Sequence, residues 1–138
     1  MPSADLVIAN IDWLITVDRD RRIIRDAAVA VAGGRIVAVD KSAEIAKRYS
    51  AARTVDASRT VAAPGFVDCH LHSSFQLSRG LADEANAQSF LFDRMYPYEA
   101  ALDEDDVRLS ATLAAAELLK HGVTCFIDPG NYHPEASG

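Results

Sequence analysis

Two short apolar runs with one amphipathic helix between them constrain the fold of this chain most. Residues 65–72 form the first run and residues 123–128 the second, whose unbroken apolar character is typical of buried parallel strands. A helix is predicted to begin after an Asp103 N-cap, with Asp106 completing a capping box, and to end before Gly122. Its apolar stripe comprises Val107, Ala111, Ala114, Ala115, Leu118 and Leu119. Strand, helix and strand together predict a right-handed βαβ unit.

The first apolar run ends in two histidines that are separated by one residue. Because strand side chains alternate between faces, His70 and His72 are predicted to point the same way, together with Asp68. Two imidazoles so placed can converge on one metal ion, although a lone strand histidine is more often a hydrogen-bonded core or rim residue. A catalytic zinc-type site takes about three protein ligands and a water, so further ligands must come from elsewhere. Asp68 is expected to have a structural role.

Composition and charge exclude several classes of function. The chain has 138 residues, 49% of them hydrophobic, and a formal net charge of −6, which argues against a nucleic-acid or anionic-membrane partner. No apolar stretch approaches the roughly 20 residues that span a bilayer, and the first residues lack the pattern of a signal peptide. Cys69 and Cys125 are predicted to be buried free thiols, which favours the cytoplasm.

Residues 5–62 are predicted to form a small β unit. Residues 6–9 and 13–17 are taken as separate strands, and the Gly33-Gly34 pair predicts a hairpin between the next two. A short helix is expected from Ser42, its N-cap, to Tyr49, followed by short strands at 53–56 and 60–62. These elements leave several strand edges, so we expect further chain to complete their sheet.

The region between His72 and the capped helix is predicted to contain one more helix, from about Asn86 to Met95, ended by Tyr96-Pro97. Beyond the second strand, Asp128 is expected to orient its neighbours. His133 could enter the site from the rim or be an ordinary exposed histidine of a loop.

In order and spacing, the chain resembles the N-terminal part of a metal-dependent amidohydrolase. The resemblance is to the branch that contains cytosine, guanine and S-adenosylhomocysteine deaminases and the triazine hydrolases. A single His-x-His motif is weak, but here it stands in an ordered series that covers nearly the whole chain. The matching segments are residues 4–8, 33–39, 64–72, 78–81, 96–99 and 121–128.

The resemblance implies an α/β fold, the N-terminal part of a (β/α)₈ TIM barrel plus the N-terminal strands of a small composite β-sandwich. Residues 1–62 would be the sandwich portion and residues 63–138 the first two β/α units of the barrel. Such a barrel takes about 250 residues, so most of it would lie outside this chain. We therefore expect these residues alone to be inactive.

The resemblance also implies a hydrolase in which a metal-activated water attacks a C–N bond, or a related C–Cl or C–S bond. His70 and His72 would be metal ligands, and the remaining ligands and proton-transfer residues would lie outside the chain, leaving no catalytic residue within it. One divalent ion is expected, zinc first, with iron, manganese or cobalt as alternatives and a second ion left open. Glu99 would bind substrate, and the alternative is a solvated glutamate on the surface. Gln76 would also bind substrate, and the alternative is a role in packing the loop.

The expected partners are a small-molecule substrate, a nitrogen heterocycle or amide-like compound, and the remainder of the barrel. The complete enzyme is expected to be a homo-oligomer. The alternative is a non-catalytic fragment or assembly partner with an incomplete metal site.

Overall fold

The computed structural model describes residues 1–133 and 135, and the chain divides into two compact units. Unit 1 is Met1–Pro64 and unit 2 is Gly65–Gly138. Unit 1 contains β1 (Ser3–Ile15), β2 (Ile23–Ala32), β3 (Arg35–Lys41), α1 (Ser42–Arg48), β4 (Ser50–Asp56) and β5 (Val61–Ala62). These strands form one sheet in the order β3-β2-β1-β4, and β5 also pairs with β1. The expected assignment of this part to a composite sandwich stays a prediction.

The Gly33-Gly34 hairpin is confirmed. β2 and β3 are antiparallel, and the two glycines between them have φ angles of 57° and 72°. Positive φ at both central residues is what a tight hairpin turn of the right twist requires, and glycine adopts it without steric cost. The Gly33 N–H also donates to Asp5 Oδ2 at 2.6 Å, which ties the turn to the beginning of β1.

Two expectations about unit 1 are wrong, and one contact explains both. The first two apolar runs form a single strand, β1, with an irregularity between Ile8 and Ile11 where Asn10 has φ 59°. The Asn10 N–H, turned out of the ladder there, donates to Ser42 Oγ at 2.9 Å. Ser42 does not cap α1: it is the first helical residue, with Lys41 at the N-cap, and its hydroxyl donates to the Ala27 carbonyl at 2.8 Å.

Burial of apolar side chains holds unit 1 together. One cluster of buried residues packs around α1: Ala4, Val7, Ala28, Ala30 and Ile45. A second cluster lies along the sheet: Ile11, Leu14, Ala27 and Val29. β1 contributes to both clusters, with Ala4 and Val7 in the first and Ile11 and Leu14 in the second.

Unit 2 contains a parallel strand pair with helical segments between the two strands. Its elements are β6 (Phe66–Asp68), a 3₁₀ segment (Ser73–Ser78), a π-helical segment (Ser89–Met95), α2 (Tyr96–Ala101), α3 (Glu104–Lys120) and β7 (Val123–Phe126). β6 and β7 pair in parallel, as the βαβ prediction requires. Both strands are shorter than expected, although backbone hydrogen bonds continue beyond them.

The ends of α3 are as predicted, but its buried face is not. Asp103 and Asp106 form the capping box, and Gly122 follows the helix with φ 80°. The fully buried positions of α3 are Val107, Ser110 and Ala114, whereas Ala115 and Leu119 of the predicted stripe are exposed. A serine therefore occupies the centre of the buried face, and its contacts bear on the site.

The helix predicted to end at Tyr96-Pro97 instead continues through it. The chain passes from the π-helical segment into α2, and the Tyr96 N–H bonds the Leu91 carbonyl five residues back. Pro97 lacks an N–H and would clash with a carbonyl in a regular helix interior; here it lies in the first turn of α2, after the wider π turn. Among the described residues, no helix is both long and apolar enough to cross a membrane.

The expectation of buried cysteines is wrong. Cys69 and Cys125 are free thiols, as predicted, but both are exposed. Within residues 1–133 and 135, β6 and β7 pair with each other and with no further strand, so each has one unpaired edge. The same cause leaves Phe66 66% and Val67 60% exposed.

Candidate metal centre

The two histidines lie just beyond the end of β6, in an extended segment that β7 continues to hold. The Ile127 N–H donates to the Asp68 carbonyl at 2.9 Å, and the Leu71 N–H donates to the Ile127 carbonyl at 3.0 Å. Because these two bonds to Ile127 come from residues three apart, Asp68 and Leu71, the regular strand ladder is interrupted between them, and the chain bends at Cys69. As predicted, His70 and His72 point to the same side, with their Nε2 atoms 3.2 Å apart.

This separation fits a shared metal ion. Zinc–nitrogen bonds of about 2.0–2.1 Å in a tetrahedral site place two ligand nitrogens about 3.3 Å apart. The imidazole rings of His70 and His72 meet edge to face, with centroids 5.1 Å apart and planes at 62°, so both Nε2 atoms converge on one region. Two facing lone pairs repel each other unless a proton or a cation lies between them.

Each histidine is held by its neighbours. The His70 N–H donates to Asp68 Oδ1 at 3.1 Å, which gives Asp68 the structural role expected of it. The His72 ring stacks on Phe75 at 5.0 Å with planes at 12°, and Phe75 meets Tyr98 of α2 edge to face at 6.0 Å. Aromatic packing thus restrains the ring of His72, whereas hydrogen bonds restrain the main chain of His70.

The second ring nitrogen of His72 has no local partner. Its Nδ1 is buried, and residues 1–133 and 135 offer it no hydrogen bond. A metal-ligating imidazole usually donates its other N–H to an acceptor that orients the ring. The Tyr98 hydroxyl is likewise buried without a partner among these residues, and burial, with a smaller effect of Asp106, raises the pKa of Tyr98.

The residue after His72 is bound on several sides. The Ser73 N–H donates to Asp128 Oδ2 at 3.1 Å, and the Ser73 hydroxyl donates to the same oxygen. Burial acts to raise the pKa of Asp128, but hydrogen bonds from Ser73 and the Gly130 N–H outweigh it and lower that pKa below the ordinary 3.8. Asp128 therefore orients its neighbours as a carboxylate, as expected.

Sequence reasoning missed Ser73 and Ser110. The Ser110 hydroxyl donates to the Ser73 carbonyl at 2.8 Å and accepts from the Gln76 N–H at 2.9 Å. Ser110 is 0% and Ser73 1% exposed. The available signal was a polar residue at helical spacing between Val107 and Ala114, on the face that apolar residues otherwise occupy.

The structure does not bring Gln76 together with the histidine pair. Its amide oxygen accepts from Arg79 Nη2 at 2.7 Å, and Arg79 also pairs with Glu117 of α3. Gln76 and Leu71 line a cavity of about 180 Å³ against α3.

The remaining candidates lie on other elements. Glu99 is half-buried in α2, where its carbonyl accepts the Leu102 N–H at 3.3 Å. His133 Nε2 lies 3.2 Å from the Leu102 carbonyl. The His133 ring and the carboxylates of Glu104 and Glu135 lie near enough to one another to share a cation. These carboxylates are exposed, and Glu104 begins α3, where the helix dipole opposes a cation; we assign no ion there.

Comparison with known proteins defines the class of protein. The family model described as "Amidohydrolase family" matches residues 61–137, more than half of the chain. The chain belongs to the amidohydrolase family, as the sequence motifs indicated.

Individual relatives match over nearly the whole chain. The 5-methylthioadenosine/S-adenosylhomocysteine deaminase of Syntrophobacter fumaroxidans is 38% identical over 125 residues, which cover 91% of this chain and 28% of that protein. A crystal structure of an adenosine deaminase from Xanthomonas campestris with bound zinc matches with a TM-score of 0.89 and 32% identity. The match covers 99% of this chain and 31% of that one.

A third match concerns the fold alone. The structure of an atrazine chlorohydrolase mutant from Arthrobacter aurescens, complexed with zinc and atraton, has a TM-score of 0.82 and 23% identity. It covers 96% of this chain and 32% of that one. In all three comparisons, the chain spans less than a third of the relative's length.

Proposed function

We propose that this chain supplies the first two metal ligands, His70 and His72, of a metal-dependent hydrolase that deaminates an adenosine-type substrate. The observation that carries the proposal is the 3.2 Å separation of the two Nε2 atoms at the end of β6. Membership of the amidohydrolase family supports the reaction class. Relatives at 38% and 32% identity, named as deaminases of adenosine derivatives, support C–N cleavage. The likeness to the chlorohydrolase extends to the fold only, so we do not propose C–Cl chemistry.

Zinc is the metal that we propose, because the Xanthomonas relative carries it and paired neutral imidazoles suit it. When bound, such an ion lowers the pKa of a coordinated water and polarises the bond to be cleaved. His70 and His72 must then be neutral, since a protonated imidazole has no lone pair to give. The missing ligands and the proton-transfer groups would come from outside residues 1–138.

The other residues of the site serve the substrate or the scaffold. We propose that Glu99 contacts the polar groups of the substrate, because α2 adjoins His72 through Tyr98 and Phe75. For Gln76 we propose the loop-packing role, since Arg79 already holds its amide oxygen. Asp68 fixes the main chain of His70.

The proposed architecture is a (β/α)₈ barrel that begins with β6 and β7, beside a small β-sandwich to which unit 1 contributes. The exposed apolar side chains of β6 and β7 support the barrel, because strands buried on both faces need neighbours to cover them. Phe66, Val67 and Phe126 are the side chains that such neighbours would bury.

The test uses the full-length polypeptide that carries residues 1–138. His70→Ala and His72→Ala each remove one ligand. His121→Ala is the matched control, because that ring is exposed and, among the described residues, bonds the Glu117 carbonyl of its own helix. Bound zinc is measured by elemental analysis. Ammonia release is measured with adenosine, 5′-methylthioadenosine and S-adenosylhomocysteine.

We expect wild type and His121→Ala to retain zinc and to release ammonia from at least one nucleoside. Each ligand variant should lose both properties together, because outside a complete ligand set the ion is not held. Retention of zinc and turnover by His70→Ala and His72→Ala would refute the site. Zinc binding without turnover of any nucleoside would instead refute the proposed substrate class.

A further inference from the structure

We propose that Ser110 and Asp128 are positioning residues for the metal centre: together they clamp Ser73 and so fix the direction of the His72 side chain. The proposal rests on the proposed function, because it concerns the ligand geometry of the same site. Neither residue is proposed as a metal ligand; both bond Ser73.

The clamp uses every polar group of Ser73. Its N–H and hydroxyl donate to the Asp128 carboxylate, and its carbonyl accepts the Ser110 hydroxyl at 2.8 Å. The same Ser110 oxygen accepts the Gln76 N–H at 2.9 Å. Hydrogen bonds to an ionised carboxylate are roughly twice as strong as neutral ones. One residue, 1% exposed, is thus held both by the loop after β7 and by α3.

The peptide bond between His72 and Ser73 transmits this restraint. Its N–H belongs to Ser73 and donates to Asp128, while its carbonyl belongs to His72 and accepts the Phe75 N–H at 3.2 Å. Because both ends of this planar group are bonded, its orientation is fixed. On the other side of His72, the Leu71 N–H bonds the Ile127 carbonyl. Residues 127 and 128 therefore hold the main chain on both sides of one proposed ligand.

Ser110 sits where an apolar residue would ordinarily pack. It is 0% exposed, between Val107 and Ala114 on the buried face of α3, and alanine is the better helix former at such a position. A buried hydroxyl is tolerated when its hydrogen bonds are made, and this one makes both. Ser110→Ala would leave the Ser73 carbonyl and the Gln76 N–H without that partner.

The experiment measures metal affinity in the full-length polypeptide, with cobalt(II) as the probe. Ser110→Ala and Asp128→Asn each weaken the clamp at one end. If these two variants do not fold, Ser73→Ala is used instead, because it removes only the contact of the Ser73 hydroxyl. The first matched control is Thr112→Ala, because the exposed Thr112 hydroxyl also lies on α3 but bonds only the Arg108 carbonyl. The second is Asp56→Asn, a carboxylate of unit 1 that also accepts a serine N–H and hydroxyl.

Cobalt affinity is determined by competition with a chelator, at a temperature well below that of unfolding. The visible spectrum of the cobalt form reports ligand geometry. We expect the clamp variants to bind cobalt about 10- to 100-fold more weakly, the range typical for residues that orient metal ligands. Their cobalt bands should shift, and the two controls should stay within about twofold of wild type.

The outcomes separate this proposal from the proposed function. If wild type binds cobalt, His70→Ala and His72→Ala lose it, and the clamp variants match wild type in affinity and spectrum, the positioning role is overturned alone. If the clamp variants unfold at a lower temperature but bind cobalt unchanged, the clamp is structural only and the proposal is equally overturned. If wild type binds no cobalt, both proposals fail.

Discussion

The two units of this chain achieve order by different means. In unit 1, apolar side chains form two buried clusters on a five-stranded sheet, one with Ile45 of α1 and one with Ile11, which are 1% and 0% exposed. In unit 2, the strand residues Phe66 and Val67 are exposed. Near the histidines, the buried Ser110 hydroxyl bonds the Ser73 carbonyl, and the buried Ser73 bonds Asp128. Apolar burial thus defines unit 1, whereas a polar network defines the segment that carries the histidines.

The largest expected effect is on stability, and it comes from a substitution in the apolar core of unit 1. Ile11→Ala should lower the free energy of unfolding by about 2–5 kcal/mol, because it leaves a cavity in the core of unit 1. Ile36→Ala is the control, since Ile36 is 67% exposed and its loss should cost less than about 0.5 kcal/mol. Denaturant unfolding of residues 1–138 measures both. Equal effects would contradict the contrast between core and surface.

A second variant tests how closely β6 approaches β7. A Cβ at Gly65 would lie 2.2 Å from Thr124 Oγ1 and 2.8 Å from Thr124 Cβ, so the strands would have to shift. Gly65→Ala should therefore cost about 1–3 kcal/mol in stability. In the Gly65→Ala background, adding Thr124→Gly should recover part of that loss, despite the low strand propensity of glycine. A fully stable Gly65→Ala chain would show that the strands are not so close.

The smallest expected effect concerns pH. Because the pKa of Asp128 is lowered in the folded chain, its stabilising contribution is complete above the ordinary value of 3.8 and is lost as pH falls through the lower folded value. The stability difference between wild type and Asp128→Asn should therefore be constant from neutral pH to about pH 5 and shrink in more acidic solution. Unfolding curves across this range measure it. A difference that grows on acidification would contradict the direction of the shift.

Local rules predicted much of the fold. The Gly33-Gly34 turn and the Asp103–Asp106 capping box each follow from a few neighbouring residues, and the parallel pair β6–β7 follows from the order strand, helix, strand. The failures came where tertiary contacts decide. Ser42 has the residue type of a helix cap, yet a bulge in β1 recruits its hydroxyl.

The candidate site was predicted in part for the same reason. The spacing of His70 and His72 predicted that their side chains would meet, and the two Nε2 atoms do lie together, although the chain has left the regular strand at Cys69. The contacts around Ser73 could not be predicted, because Ser110 and Asp128 lie 37 and 55 residues away in sequence. No periodicity links such distant residues, although a serine on the apolar face of α3 was a visible irregularity.

X-ray absorption at the zinc edge tests the central claim most directly. In the zinc-loaded full-length polypeptide, we expect imidazole scattering from nitrogens at about 2.0–2.1 Å, and in His70→Ala and His72→Ala we expect no bound zinc and therefore no such scattering. An unchanged spectrum in the double variant His70→Ala/His72→Ala would show that the metal is held elsewhere and would contradict the account.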